Sequence, residues 1–277
     1  MKSEINVEAW LYTAASTAVS RLFAGHAGRH QMTLLPLLHV CDSLFPIGSF
    51  GYSDGLESAT TAGLVRTVGD VRDWLDVCLD DVFGRCDGPG LLGAWSAVHD
   101  GDWEALVALD EELTALRPSS ATRMANRSMG LRLLKTWHAL HPDARLAHAL
   151  ALVGDHTFSS PRRAGGPEGP HDRDVRPRLG PTLPVAFAAV SVCAGIGCRD
   201  ALSGFAYTRL AATVSAAMRL VALGQTDAHR LLSRALERVP PTIDEVIARA
   251  ARPESFTPAM DVAQMMQQYV HSRLFRS

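Results

Sequence analysis

The sequence predicts an all-α fold, a compact single-domain array of about ten helices joined by short loops. Three observations support it. Apolar residues recur at spacings of three and four, clean strand alternation is absent, and capping residues punctuate the chain at helix-length intervals. With 47% hydrophobic and 20% charged residues in a chain of 277, there is ample material for one large core.

Residues 1–31 form a weakly patterned Ala/Ser/Gly-containing extension, expected to be mobile, and Met32 offers an alternative start. From Met32 onward a single helical domain is expected. Its first helix opens at Thr33, is expected to bury Leu34, Leu38, Cys41 and Phe45, and stops at Phe45-Pro46. After a glycine-rich connector, Ser53 caps a short helix through Glu57 that Gly63 ends. Asp70 is expected to cap the next helix, where Val71, Trp74, Leu75, Cys78, Leu79, Val82 and Phe83 make the strongest amphipathic pattern in the chain.

Asp87 with Pro89 starts a further helix to about His99, and Asp102 opens one that carries Leu106, Leu109, Leu113 and Leu116. Ser120 to Leu140 reads as a longer helix ended by Pro142, followed by one from Asp143 to Val153. Residues 159–181, dominated by Pro, Gly and Arg, are expected to be a flexible surface loop. Helices resume over about Pro184 to Gly195 and Asp200 to Leu223; in the second, Tyr207, Leu210, Val214, Met218 and Val221 share a face. Gly224 is expected to terminate it, and Thr226 to cap the next helix to about Val239. Thr242 and Glu245 have capping-box spacing for a separate short helix, and Thr257-Pro258 starts the last one.

The net charge of −2 offers no global basic field for nucleic acid, and Lys2 and Lys135 are the only lysines, so the other cations are arginines. The longest uncharged stretch, Leu179 to Cys198, is broken by Pro181 and Pro184 and is too short to span a bilayer comfortably. Five cysteines without framework spacing point to a reducing, cytoplasmic compartment, and no targeting segment is visible.

The candidate chemistry is thin. Gly48, Gly51 and Gly55 lack the Gly-Lys-Ser/Thr ending of a phosphate loop and read as turns. Asp80-Asp81 has no third carboxylate a turn away, so a solvated helix face is favoured over a prenyl-diphosphate magnesium site. His138 and His141, with His148 and His156 downstream, lack the carboxylate or thiolate that would complete a nickel set. Cys193 and Cys198 are too widely spaced for a metal knuckle, and no nucleophile–base–orienter set can be read from spacing. No catalytic residue, cofactor site or metal ligand is assigned.

Three segments carry more information. The first is Cys41-Asp42-Ser43-Leu44-Phe45-Pro46-Ile47-Gly48-Ser49-Phe50, continuing through Ser53, Gly55, Leu56 and Glu57. The second runs from Val214 to Asp227 and contains Arg219, Gly224 and Gln225. The third is Pro258 with Asp261 and the tail Ser272-Arg273-Leu274-Phe275-Arg276-Ser277. In order and separation they resemble the urease accessory protein UreF family, with a weaker echo at Arg123, Asn126, Met129 and Gly130. The chain departs from the family pattern at Ala222 (usually proline), at His229 (near a usual glutamine) and at Met266-Gln267-Gln268 (usually Arg-His-Glu). It departs again at His271, where tyrosine is common.

The resemblance implies an all-helical, dimeric, non-enzymatic protein that docks UreD (UreH in some species) and the GTPase UreG. The assembly would deliver nickel to apo-urease, so nickel would be handled by the complex and no cofactor held tightly. It also implies partner contacts at Pro46, Gly48, Ser53, Gly55, Glu57, Arg219, Gly224, Gln225, Asp261 and Ser272 to Ser277. A direct nickel carrier and a helical enzyme of the prenyl-synthase kind are the alternatives. Of these segments the tail is the sharpest candidate. Two arginines bracket Leu274-Phe275 at a chain end, which favours partner docking over self-packing. For Arg219 a local carboxylate partner is favoured over a role at the GTPase.

Overall fold

The computed structural model describes residues 33–153 and 180–275. The expected extension at 1–31, the loop from 159 to 179, His156, Arg276 and Ser277 lie outside the described residues. The described elements are helical, in chain order α1 (Leu34–Cys41), α2 (Leu56–Thr61), α3 (Val68–Val77), a π-helical segment (Cys78–Asp87), α4 (Gly88–Asp100), α5 (Trp103–Ala115), α6 (Ser120–Leu140), α7 (Ala144–Val153), α8 (Leu183–Cys193), α9 (Cys198–Leu220), α10 (Gln225–Arg249) and α11 (Pro258–Met266). Short 3-10 turns sit at Ser49–Gly51 and Gln267–Tyr269. No strand occurs among the described residues.

The centre of the core is α8. Its run Leu183 to Val192 is buried throughout, as befits a helix apolar on every side, and it packs between α4 and α6. Phe187 meets Phe205 of α9 edge-on at 5.4 Å, and Trp95 of α4 donates to the Ile196 carbonyl at 3.1 Å. A buried polar cluster fixes where α8 begins. Asp110 accepts from Thr182 N–H at 2.7 Å and pairs with Arg127 at 3.0 Å, while Asn126 accepts from Leu183 N–H at 2.8 Å. A Cβ at Gly130 would lie 2.1 Å from the Pro181 carbonyl oxygen, so α6 meets this entry only because residue 130 is glycine. Gly180 and Pro181, expected within the loop, are buried here.

Several boundaries differ from expectation for physical reasons. Thr67, not Asp70, caps α3; the two make a reciprocal capping box in which Asp70 is the third helical residue. Asp87 and Pro89 stand at the start of α4 as expected, but no break precedes it. The chain passes through the wider π-helical segment, and the Arg85 carbonyl, which Pro89 cannot serve, accepts from Glu254 N–H at 2.9 Å. Nor do Pro240 and Pro241 split α10. They lie on its exposed side while Val239, Ile243 and Val246 continue the buried stripe. Gly224 does not end α9: the helix ends at Leu220, and Gly224, at φ −70°, is the N-cap residue of α10.

Two faces were also misassigned. In α1 Leu34 and Leu38 are exposed, whereas Val40 is buried. α1 lies so close to α9 that a Cβ at Gly204 would meet Leu37 Cδ1 at 2.6 Å. In α9 Leu210 and Val214 are buried as expected, but Tyr207 and Met218 face outward.

Candidate docking site

The three segments that carry the resemblance meet in space, at α2. That helix begins at Gly55, whose φ of +88° suits glycine, and a Cβ there would lie 2.8 Å from the backbone nitrogen of Gln264 in α11. α11 therefore lies directly on the α2 entry. Ser58 donates to the carbonyl of Gly55 at 3.0 Å and also to that of Ala263, tying the two helices together.

Glu57, in the first turn of α2, is only 2% exposed. Its carboxylate has no ion-pair partner among the described residues and is instead held by N–H donors. It accepts from Leu274 N–H at 2.5 Å, from Phe275 N–H at 3.3 Å and from the Gln267 side-chain amide. Phe275 packs into the core, 4% exposed, and the Arg219 guanidinium stands 5.6 Å over its ring. Leu274 points the other way, 68% exposed. On α11 and the following turn, Val262, Met265, Met266 and Tyr269 are also exposed; their i, i+3, i+4 and i+7 spacing makes one apolar stripe. Ser272 and Arg273 are exposed.

This geometry corrects two expectations. The tail is not free of its own domain: Phe275 is self-packed, because a buried carboxylate is available to satisfy the backbone on either side of its side chain. Arg219 has no carboxylate partner among the described residues and stacks on Phe275. The structure thus brings together Gly55, Glu57, Arg219, Leu274 and Phe275. Ser53 stands behind them, its hydroxyl accepting from Glu57 N–H at 3.4 Å.

Pro46, Gly48, Gly224 and Gln225 are exposed. Gly48, at φ +75°, lies against the Arg132 guanidinium. Asp261 lines a small cavity of about 70 Å³, where burial raises its carboxyl above the usual range against the opposing hydrogen bonds of Thr257. Gln267 and Ser58 were not read as site residues from the sequence. Gln267 stood out only as a departure from the family pattern, and nothing in its spacing pointed to Glu57.

The other candidates do not assemble. Asp80 pairs with Arg238 at 2.7 Å and Asp81 with Arg85 at 3.3 Å. His148 packs on Trp103, His141 on Trp137, and the buried Nδ1 of His138 has no hydrogen-bond partner among the described residues. Burial pushes the thiols of Cys193 and Cys198 up to about 12. Among the described residues no group of three or more His, Cys, Asp or Glu side chains is placed to hold a metal ion, and no helix is long and apolar enough to cross a membrane.

The model of the UreF family matches residues 65–236. The chain belongs to the UreF family. Among its relatives is a urease accessory protein UreF of Rhodopseudomonas palustris, 30% identical over 84% of this chain and 88% of that protein. Another, from Cupriavidus metallidurans, is 31% identical over 89% of this chain and the whole of that protein. A third, from Granulibacter bethesdensis, is 29% identical over 92% of this chain and 98% of its own length. UreF proteins are non-catalytic accessory proteins, which sets aside the prenyl-synthase alternative and agrees with the ion-paired Asp80 and Asp81.

Proposed function

We propose that this chain works in urease maturation as a docking protein. It binds UreD (UreH) and the GTPase UreG and regulates GTP-dependent delivery of nickel to apo-urease. In this reading it acts as a homodimer in the cytoplasm, and nickel is handled by the assembled complex, not by a tight site in this chain. The observation that carries the reading is the convergence of Glu57, Arg219 and the C-terminal segment. Together they hold Leu274 and Arg273 at the surface beside the exposed apolar stripe of α11. An exposed leucine, two outward methionines, a tyrosine and exposed arginines are the composition of an interface centre.

The relatives named above align well beyond the family-model match, over most of the chain. The test is a titration of the full chain against purified UreD or UreH, comparing wild type with Leu274→Ala and Tyr269→Ala. Each substitution is expected to weaken binding at least fivefold without changing helix content. Wild-type affinity in both would remove this surface from the interface. The direct-carrier alternative predicts stoichiometric, tight nickel binding by the isolated chain, which the docking reading does not.

A further inference from the structure

Gln267 uses both ends of one side-chain amide on adjacent residues of α2. Its Nε2 donates to the Glu57 carboxylate, and its Oε1 accepts from Ser58 N–H at 3.1 Å. At 1% exposure it has no water to fall back on. The same carboxylate, seven residues further along the chain, fixes the backbone of Leu274 and Phe275. Gln267 and the tail are therefore two grips on one buried acid. A donor-only lysine at position 267 would leave Ser58 N–H unpartnered, and an acceptor-only glutamate would set a second carboxylate against Glu57. Only a group with a donor and an acceptor at that reach closes the arrangement.

We propose that Glu57 and Gln267 form a latch of positioning residues that pre-organises the C-terminal segment, so that Leu274 and Arg273 meet the partner already ordered. This inference rests on the docking reading above. Its physical basis is the entropy of ordering: each backbone residue that must be fixed at the moment of binding weakens affinity by about tenfold, so a segment held in advance binds tighter with no new contact. The segment between the two grips, from Val270 to Arg273, has no regular secondary structure, so its restraint comes from the latch and from the buried Phe275 that follows it.

The test uses the full chain and two readouts. Gln267→Met keeps the volume and removes both hydrogen bonds. It is expected to raise amide hydrogen exchange at Leu274 and Phe275 by about tenfold or more, with exchange in α8 and α9 unchanged, and to weaken UreD or UreH binding by about tenfold. Leu274→Ala, in contrast, is expected to weaken binding with exchange unaltered. Unchanged exchange in Gln267→Met overturns the latch whatever the partner does. Faster exchange with wild-type affinity overturns its role in docking; if Leu274→Ala then still binds weakly, the docking reading survives and only the latch fails. If Leu274→Ala binds normally as well, the docking surface itself is wrong. Should Gln267→Met fail to fold, Gln267→Asn, which withdraws the amide by one methylene, is read the same way.

Discussion

Glu57 and Leu274 are 217 positions apart, yet the carboxylate of one accepts the backbone N–H of the other at 2.5 Å. The contact joins the first and last of the segments that mark the family. It also decides how the tail divides its work. With the backbone anchored at both residues, Phe275 turns inward and Leu274 outward.

That division gives a paired prediction. Phe275→Ala opens a cavity in the core and removes the ring beneath Arg219, and is expected to lower the melting temperature by about 5 °C or more. Leu274→Ala touches little of its own protein and is expected to stay within about 1 °C of wild type, since exposed substitutions seldom exceed about 0.5 kcal/mol. Circular dichroism melts of both decide it. Equal melting temperatures would mean that Phe275 does not anchor the tail. For the same reason, truncation at Ser272 is expected to cost stability, because it leaves the buried Glu57 carboxylate without its backbone donors.

Gly55 is expected to be as sensitive as any core position although it carries no side chain. Alanine there meets two penalties: a left-handed backbone, costing about 1–2 kcal/mol, and a Cβ 2.8 Å from a backbone nitrogen of α11 that has no rotamer to yield. Gly55→Ala is expected to lower the melting temperature by about 4 °C or more, with faster exchange concentrated in α11 and the tail. A wild-type melt would show that α11 is not seated on the α2 entry. Gly224→Ala is the control: its φ is −70° and a Cβ there meets nothing within 4 Å, so no loss is expected.

What the sequence made legible follows from how local each signal is. The 3.6-residue period located α5, α6 and α7 within a residue or two, because Asp102, Ser119-Ser120 and Pro142 act on their immediate neighbours. The start of α4 at Asp87 and Pro89 was legible, whereas the break expected after Val239 does not occur, because the exposed side of α10 makes the hydrogen bonds lost at Pro240-Pro241 tolerable. The tail was read with the right residues and the wrong face, since the partner that buries Phe275 is 218 positions away and no periodicity reports it. Gln267 was invisible as a contact for the same reason. The Asn126 and Gly130 echo, in contrast, turned out to mark a local necessity, the seat of the α8 entry.

The thiols make a prediction about pH. Burial pushes Cys41, Cys78, Cys86, Cys193 and Cys198 from 9.0 up to about 12. In each case the folded chain holds the proton more tightly than the unfolded one. The associated stability is therefore complete below about pH 9 and is lost as the pH rises from there towards about 12. Melting temperatures are expected to be flat in this respect from pH 7 to 8.5 and to fall above pH 9.5. Iodoacetamide at pH 8 is expected to label the native chain at least about a hundredfold more slowly than the urea-unfolded one, because the thiolate is the reactive form. Rapid native labelling of any one cysteine would identify a thiol that burial does not protect.

Arg219 separates stability from docking most sharply. Its guanidinium rests over Phe275 without a carboxylate partner among the described residues, and the residue is exposed. A cation over an aromatic face at an exposed site contributes about 0.5–1 kcal/mol, so Arg219→Ala is expected to lower the melting temperature by no more than about 3 °C. Its role in binding is set differently. The planar N–H fork still has donors to offer, and a partner carboxylate or carbonyl that accepts them would gain two hydrogen bonds from a group whose position Phe275 already fixes. Arg219→Ala is therefore expected to weaken UreD, UreH or UreG binding by about tenfold or more. Arg219→Lys would keep the charge and the ring contact but lose the fork, and is expected to recover stability more fully than affinity. Titrations and melts on the two variants are the measurement. If lysine restores both in step, the arginine serves only its own fold; if alanine leaves binding intact, the partner surface does not reach across the tail to α9.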